Sequence, residues 1–211
     1  MSDPFQPVVT SQHHTVSVDG FPVELPLVAI KPDLAISLMM VIDLGVRFGA
    51  HCGEKLADAL APLKPDIVVG AATLGIPVAI EVTRALGLDR YVILQKSPKV
   101  HLGSALEQKI TSITSKGAQR LLLDARAVPL LKGRRVVVVD DVVASGSSLK
   151  GSAELVRQAG GEVVGLGVIL TEAREWEGVL GDDAALVHAL AHIPQFRPAD
   201  DGTWVVRPET V

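Results

Sequence analysis

The sequence has a single cysteine, Cys52, so no internal disulfide can form. That residue sits in a helical pattern and reads as a small core side chain. The start, "MSDPFQPVVT", has neither a basic segment nor an apolar run of the kind that directs secretion. The longest apolar stretch, Leu34 to Val46, is too short to span a bilayer and is interrupted by Asp43. There is no block of like charge, and the net charge is −4, which argues against general binding to nucleic acid or to a membrane surface. Repeats, low-complexity tracts, a G-x-x-x-x-G-K-[ST] phosphate loop and zinc-type Cys/His spacing are all missing. What remains is 211 residues, 48% hydrophobic and 21% charged, enough for one globular domain with a sizeable core. A cytoplasmic location is the expectation.

Residues 1 to 14 read as a loose polar arm. "TVSVDGFPVELPLV" (15–28) predicts short strands around an Asp-Gly turn, with Pro22 and Pro26 limiting pairing to edges. Pro32 and Asp33 open a long helical pattern from Leu34 to Leu60. A strand over 66–70, a helix over 76–87 and a strand over 91–95 follow. The stretch 96–109 has no clean period. Segments 110–114 and 120–124 flank Lys116-Gly117 and predict a hairpin. A buried strand over 134–140, a helix over 148–160 and a strand over 162–171 come next. "AALVHALAHI" (184–193) fits strand or helix, and "PADDGTWVV" carries a hairpin signal.

This alternation predicts an α/β fold with a central, mainly parallel sheet flanked by helices. Ligands of such sheets bind beyond the carboxyl ends of the strands, here after Gly70, Gln95 and Val139. The third place is the most informative, "VVVVDDVVASGSS" (136–148). A strand apolar on both faces delivers Asp140 and Asp141 into the crevice. Adjacent carboxylates there can accept hydrogen bonds from vicinal hydroxyls, hold Mg²⁺ or oppose a developing positive charge. Ala144, Ser145, Gly146, Ser147 and Ser148 then enter a helix, whose unpaired N–H groups and dipole suit a phosphate. The plainer alternative is an ordinary strand-to-helix turn with solvated acids.

This stretch resembles the phosphoribosyl-pyrophosphate (PRPP) signature of type I phosphoribosyltransferases. "VVGAATLGIPVA" (68–79) is similar to the family's pyrophosphate loop, and "VILQKSPKVHLG" (92–103) to the strand leading into its flexible loop. "VDGFPVELPLV" resembles the N-terminal stretch of adenine-type members, and the likeness covers roughly residues 15 to 175. The long helix before the pyrophosphate loop and "SIT" (112–114) look xanthine-type. The resemblance implies one domain over 1–211, with a core over about 60–172 and a small hood from about 15–30 and 172–211. It implies a purine-type enzyme that transfers the phosphoribosyl group of PRPP to a free nucleobase with Mg²⁺, as a homodimer. Asp140 and Asp141 then match the acid pair that meets the ribose hydroxyls directly or through Mg²⁺. Ala144 to Ser148 match the 5′-phosphate nest. Ala72, Thr73, Leu74 and Gly75 match the pyrophosphate loop, and Lys96 and Lys99 match bases that reach pyrophosphate on closure of a lid drawn from 96–109. Lys96 joins the acid pair as a catalytic group.

Two departures stand out. Gln95 stands where the family often has Arg, and Thr114-Ser115-Lys116 stands where adenine enzymes usually carry Tyr-Glu-Tyr. For the base, Glu172 matches a position where xanthine-type enzymes place Lys. A carboxylate there suits a base edge with N–H donors, such as guanine; a solvated loop acid is the alternative. Val16 and Val23 could cover the base or simply pack. His51, His188 and His192 lie in apolar patterns and suggest core or surface roles. His101 beside Lys99 could meet pyrophosphate, and Trp176 and Trp204 would cover hydrophobic surface. The rival to an enzyme is a PRPP- or nucleotide-sensing regulator on the same fold. No helix-turn-helix segment or basic patch supports it.

Overall fold

A computed structural model describes residues 5–98, 105–110 and 119–211. At its centre is a five-stranded sheet built from β4 (Ile67–Ala71), β5 (Tyr91–Leu94), β8 (Arg135–Val143), β9 (Glu162–Glu172) and β10 (Val187–Ile193). The strand order is β10-β9-β8-β4-β5, and every pairing is parallel. The chain leaves β4 towards β5 on one side, then returns to lay β8, β9 and β10 on the other. The boundary between β4 and β8 is therefore the point where the strand order reverses, and their carboxyl ends part there to leave a crevice.

The valine run follows from this position. Val136 and Val138 point to one face of the sheet and Val137 and Val139 to the other, and all four are buried. The first face packs on α4 (Ser147–Gln158), α5 (Glu175–Leu180) and a hairpin of β6 (Ala105–Ile110) with β7 (Gln119–Asp124). The second packs on α1 (Gly45–Leu60), α2 (Gly75–Ala85) and an antiparallel hood. The hood joins β1 (Val8–Val18), β2 (Phe21–Lys31), β3 (Leu34–Ser37), β11 (Gln195–Pro198) and β12 (Trp204–Val206) in that order. Cys52 lies in the second core, where burial pushes its thiol up to about 12.

Several local expectations change. Residues 8–14 are not a loose arm but the first half of β1, paired to β2 from Val8↔Ala29. Leu34–Ser37 is a strand, and the helix begins only at Gly45. Pro32 and Asp33 make the turn between β2 and β3 rather than a helix start. The pairs Ile36↔Gln195 and Ala35↔Phe196 explain the change, because a partner some 160 residues away supplies the strand's second neighbour. Pro22 and Pro26 do lie where β2 has little but β1 beside it, since β3 pairs only from Leu27 onward. The hairpin's first strand is Ala105–Ile110, not 110–114. It takes the last residues of the expected lid, and 111–118 fall outside the described residues. Of the 184–193 segment, residues 184–186 end a 3-10 turn and Val187–Ile193 form a strand at the edge of the parallel sheet.

Candidate active site

Pairing between β4 and β8 stops at Gly70↔Val139, whereas β8 stays paired with β9 as far as Val143↔Thr171. Asp140 is thus the first residue of β8 past its β4 neighbour, and it faces the opening. Its Oδ1 accepts from the Asp141 N–H at 3.1 Å. The same oxygen lies 2.9 Å from where a Cβ on Gly75 would stand. Only glycine lets the first residue of α2 sit that close, so the acid pair abuts the loop after β4. In that loop the Ala72–Thr73 peptide is cis, the Ala72 N–H bonds to Leu94 O at 2.8 Å, and no side chain caps α2. Its first turn leaves main-chain N–H groups for an anion.

Both carboxyls keep some contact with solvent, yet loss of hydration dominates their titration. Burial pushes Asp140 well above the usual carboxylate range, and the neighbouring Asp141 charge adds to it. Asp141 is raised by burial as well, with its hydrogen bond to Asp140 opposing the rise. The Lys96 ammonium, just past β5 and exposed, holds both down from across the crevice. Two buried carboxyls this close, with one cation nearby, resist carrying two full charges at once.

After β8, Gly146 is the N-cap of α4 in a left-handed conformation, φ +78°. A side chain there would be strained and would also press on Trp176 backbone atoms at 3.1 Å. The loop is thus clamped between the strand and α5. Trp176 is buried, and its indole donates to Ala173 O at 3.0 Å. No side chain caps α4 either. Ser145 and Ser147 hydroxyls stand 3.5 Å apart, and the Ser148 hydroxyl is buried with no partner. The ligand-facing groups of the loop are therefore the main-chain N–H groups of the uncapped first turn and the Ser145 and Ser147 hydroxyls.

The fold therefore brings Asp140, Asp141, Gly75 and Lys96 together, with Ala144 to Ser148 beginning three residues after the acids. Lys99 and His101 lie outside the described residues, as do Thr114, Ser115 and Lys116. Gln95 is tied to the hairpin by main-chain bonds in both directions with Leu122.

Glu172 ends β9, the strand next to β8. It is buried, and its Oε1 accepts from Gln195 Nε2 at 3.1 Å. Burial raises its carboxyl above the ordinary range. Val16 and Val23 face each other across β1 and β2 and pack in the second core with Phe48, Leu170 and Ile193. His51 bonds Val18 O at 2.9 Å, and His192 bridges Thr171 and Thr210. Trp204 covers the small hood cluster around Phe196. Gln195, Thr210 and the clamping role of Trp176 carry no local signal in the sequence, because their partners are distant along the chain.

Among the described residues, no group of three or more His, Cys, Asp and Glu side chains gathers to hold a metal. The acid pair does fit Mg²⁺, which is commonly held by one or two carboxylates plus water and substrate oxygens.

Fold and site together define a doubly wound α/β protein with two uncapped helix entries and an acid pair at the strand-order reversal, suited to an anionic sugar phosphate. The phosphoribosyl transferase domain profile matches residues 47–188. A xanthine phosphoribosyltransferase of Deinococcus deserti is 32% identical over 155 residues, covering 73% of this chain and 78% of that one. An adenine phosphoribosyltransferase of Oenococcus oeni is 30% identical over 148 residues, covering 68% and 81%. The crystal structure of adenine phosphoribosyltransferase from Thermoanaerobacter pseudethanolicus superposes with a TM-score of 0.64 at 24% identity, over 75% of this chain and 88% of that one, a likeness of fold. The chain belongs to the phosphoribosyl transferase domain family.

Proposed function

We propose that this chain is a PRPP-dependent, purine-type phosphoribosyltransferase that converts a free nucleobase to its nucleoside 5′-monophosphate and releases pyrophosphate. The observation that carries the reading is the contact of Asp140 with Gly75. It sets the carboxylate pair beside one anion loop while the same strand runs on into the other, which matches a sugar carrying phosphates at both ends.

In this mechanism the loop 144–148 holds the 5′-phosphate through the α4 N–H groups and the Ser145 and Ser147 hydroxyls. Ala72 to Gly75 hold the pyrophosphate, and Lys96, with Lys99, adds positive charge to it. Asp140 and Asp141 orient the ribose hydroxyls and oppose the positive charge that grows on the anomeric carbon as its bond to pyrophosphate breaks. A base nitrogen then bonds to that carbon, and its proton leaves. Mg²⁺, held by the acid pair directly or through water together with substrate oxygens, would neutralise the leaving pyrophosphate. Glu172 is the proposed acceptor for N–H donors on the base edge, with Val16 and Val23 in the apolar layer beneath the hood. The resemblance also carries the proposals of a homodimer and a cytoplasmic setting. Exposed Leu38, Ile42 and Val46, at four-residue intervals, offer apolar surface for the former. Among the described residues, no helix is long and apolar enough to cross a membrane.

The test is a panel of adenine, guanine, hypoxanthine, xanthine, orotate and uracil with PRPP and Mg²⁺, read by pyrophosphate release. Release with a purine is expected; none with any base overturns the reading. Asp141→Asn should cut turnover by more than about a hundredfold while leaving the fold intact. Unchanged turnover would remove Asp141 from the site.

A further inference from the structure

Glu172 is held from the hood by a chain of partly buried polar contacts that the donor site does not use. Its Oε1 accepts from Gln195 Nε2 at 3.1 Å. No hydrogen bond reaches Oε2 from the described residues, and that oxygen is not sealed from solvent. Gln195 is fixed in turn. Its N–H donates to Thr210 Oγ1 at 2.9 Å, and its carbonyl accepts from Arg207 N at 2.8 Å. Thr210 is buried, its hydroxyl donates to Arg207 O at 2.7 Å, and its carbonyl lies 2.7 Å from His192 Nε2. A carbonyl only accepts, so Nε2 carries a proton, and Nδ1 lies within hydrogen-bond distance of Thr171 Oγ1 at 2.9 Å. Thr171 precedes Glu172, which closes the circuit.

The turn below Glu172 is set just as firmly. Ala173 has φ +48°, unusual for a residue with a side chain. Its N–H donates to Ile193 O at 3.1 Å and its carbonyl accepts from the Trp176 indole. Strained backbone of this kind persists only where the surroundings over-determine it, and it clusters at functional sites. Asp140 pairs with Val168 across the sheet, so Glu172 lies four residues further along, or ~13 Å at the usual rise per residue.

We infer that Gln195 is a positioning residue for base selection, with Thr210 as its anchor: it occupies one oxygen of Glu172 and turns the other towards the N–H edge of the incoming base. The inference rests on the phosphoribosyltransferase reading and on Glu172 as the base acceptor. It adds that the hood, through residues remote from the donor site, sets the discrimination between bases with one and two N–H donors on that edge, hypoxanthine against guanine.

The test compares kcat/KM for guanine and hypoxanthine, and Kd for GMP and IMP, in the full chain and in Gln195→Met, Thr210→Val and Thr210→Ser. The Kd ratio needs no turnover. Gln195→Met should lower the guanine preference about tenfold, the scale of one charged hydrogen bond, with KM for PRPP unchanged. Thr210→Val should move the ratio the same way, and Thr210→Ser, which keeps the hydroxyl, should restore it. A parent chain that turns over while both ratios stay within twofold in Gln195→Met overturns the positioning role and leaves the enzyme intact. A parent chain that releases no pyrophosphate and binds neither monophosphate overturns both.

Discussion

Asp140 and Asp141 are at odds with the stability of the fold that carries them. Each is raised above its ordinary value of 3.8 in the folded chain, first by burial. The unfolded chain titrates near 3.8, so the contribution of the pair to stability is complete below that pH. It is lost as pH rises through the higher folded values. Asp140→Asn removes one charge and keeps the oxygen that accepts from Asp141. At neutral pH it should raise stability by more than about 1 kcal/mol, the worth of one pKa unit, while turnover collapses. Denaturant melts at pH 7 and near pH 4 check this, because the gain should shrink at the lower pH. A variant less stable than the parent at pH 7 would mean that folding does not raise the titration of Asp140. Such a trade of stability for function is common where charge must meet a transition state.

At the scale of elements, the β6–β7 hairpin has a firm base. Leu121 and Leu123 are fully buried against α4 and the parallel sheet, and Leu122 bonds Gln95 in both directions. Leu121→Ala should therefore destabilise by about 3 kcal/mol, as a large core truncation does, measured by urea melts. A loss below about 1 kcal/mol would show that the hairpin hangs free of the core. This element was hard to read from sequence for a specific reason. In Ala105–Ile110 the half-buried and buried positions are Leu106, Gln108 and Ile110, so a polar side chain breaks the alternation that marks a strand. The parallel strands were legible because burial on both faces leaves long runs such as Val136 to Val139, and "DDVVASGSS" holds the strand's end, two acids and a helix entry within one segment. Leu34–Ser37 was not, since four apolar residues fit helix and strand alike until β11 arrives to pair with them. Glu172 could be named but not its holder, because Gln195 is 23 residues away and meets it only through the fold.

Across the whole molecule, the hood and the parallel sheet share a core. Val16, Val18, Val23 and Leu25 of the hood pack in one cluster with Val137, Val139 and Ile169 of the sheet, with α1 and α2 between. The molecule should therefore unfold as one cooperative unit, with calorimetric and van't Hoff enthalpies in agreement. Two resolved transitions would make the hood a separate folding unit. The shared core does not merge the two tasks proposed here. The groups that would grip the sugar phosphate lie on the ends of β4, β5 and β8, and the carboxyl that would read the base lies on β9 under a strand from the far end of the chain. The reversal of strand order between β4 and β8 thus leaves the reader of the base one strand out from the seam. A lineage, or an engineer, could exchange that reader as a cassette and hand the same activated sugar to a different recipient.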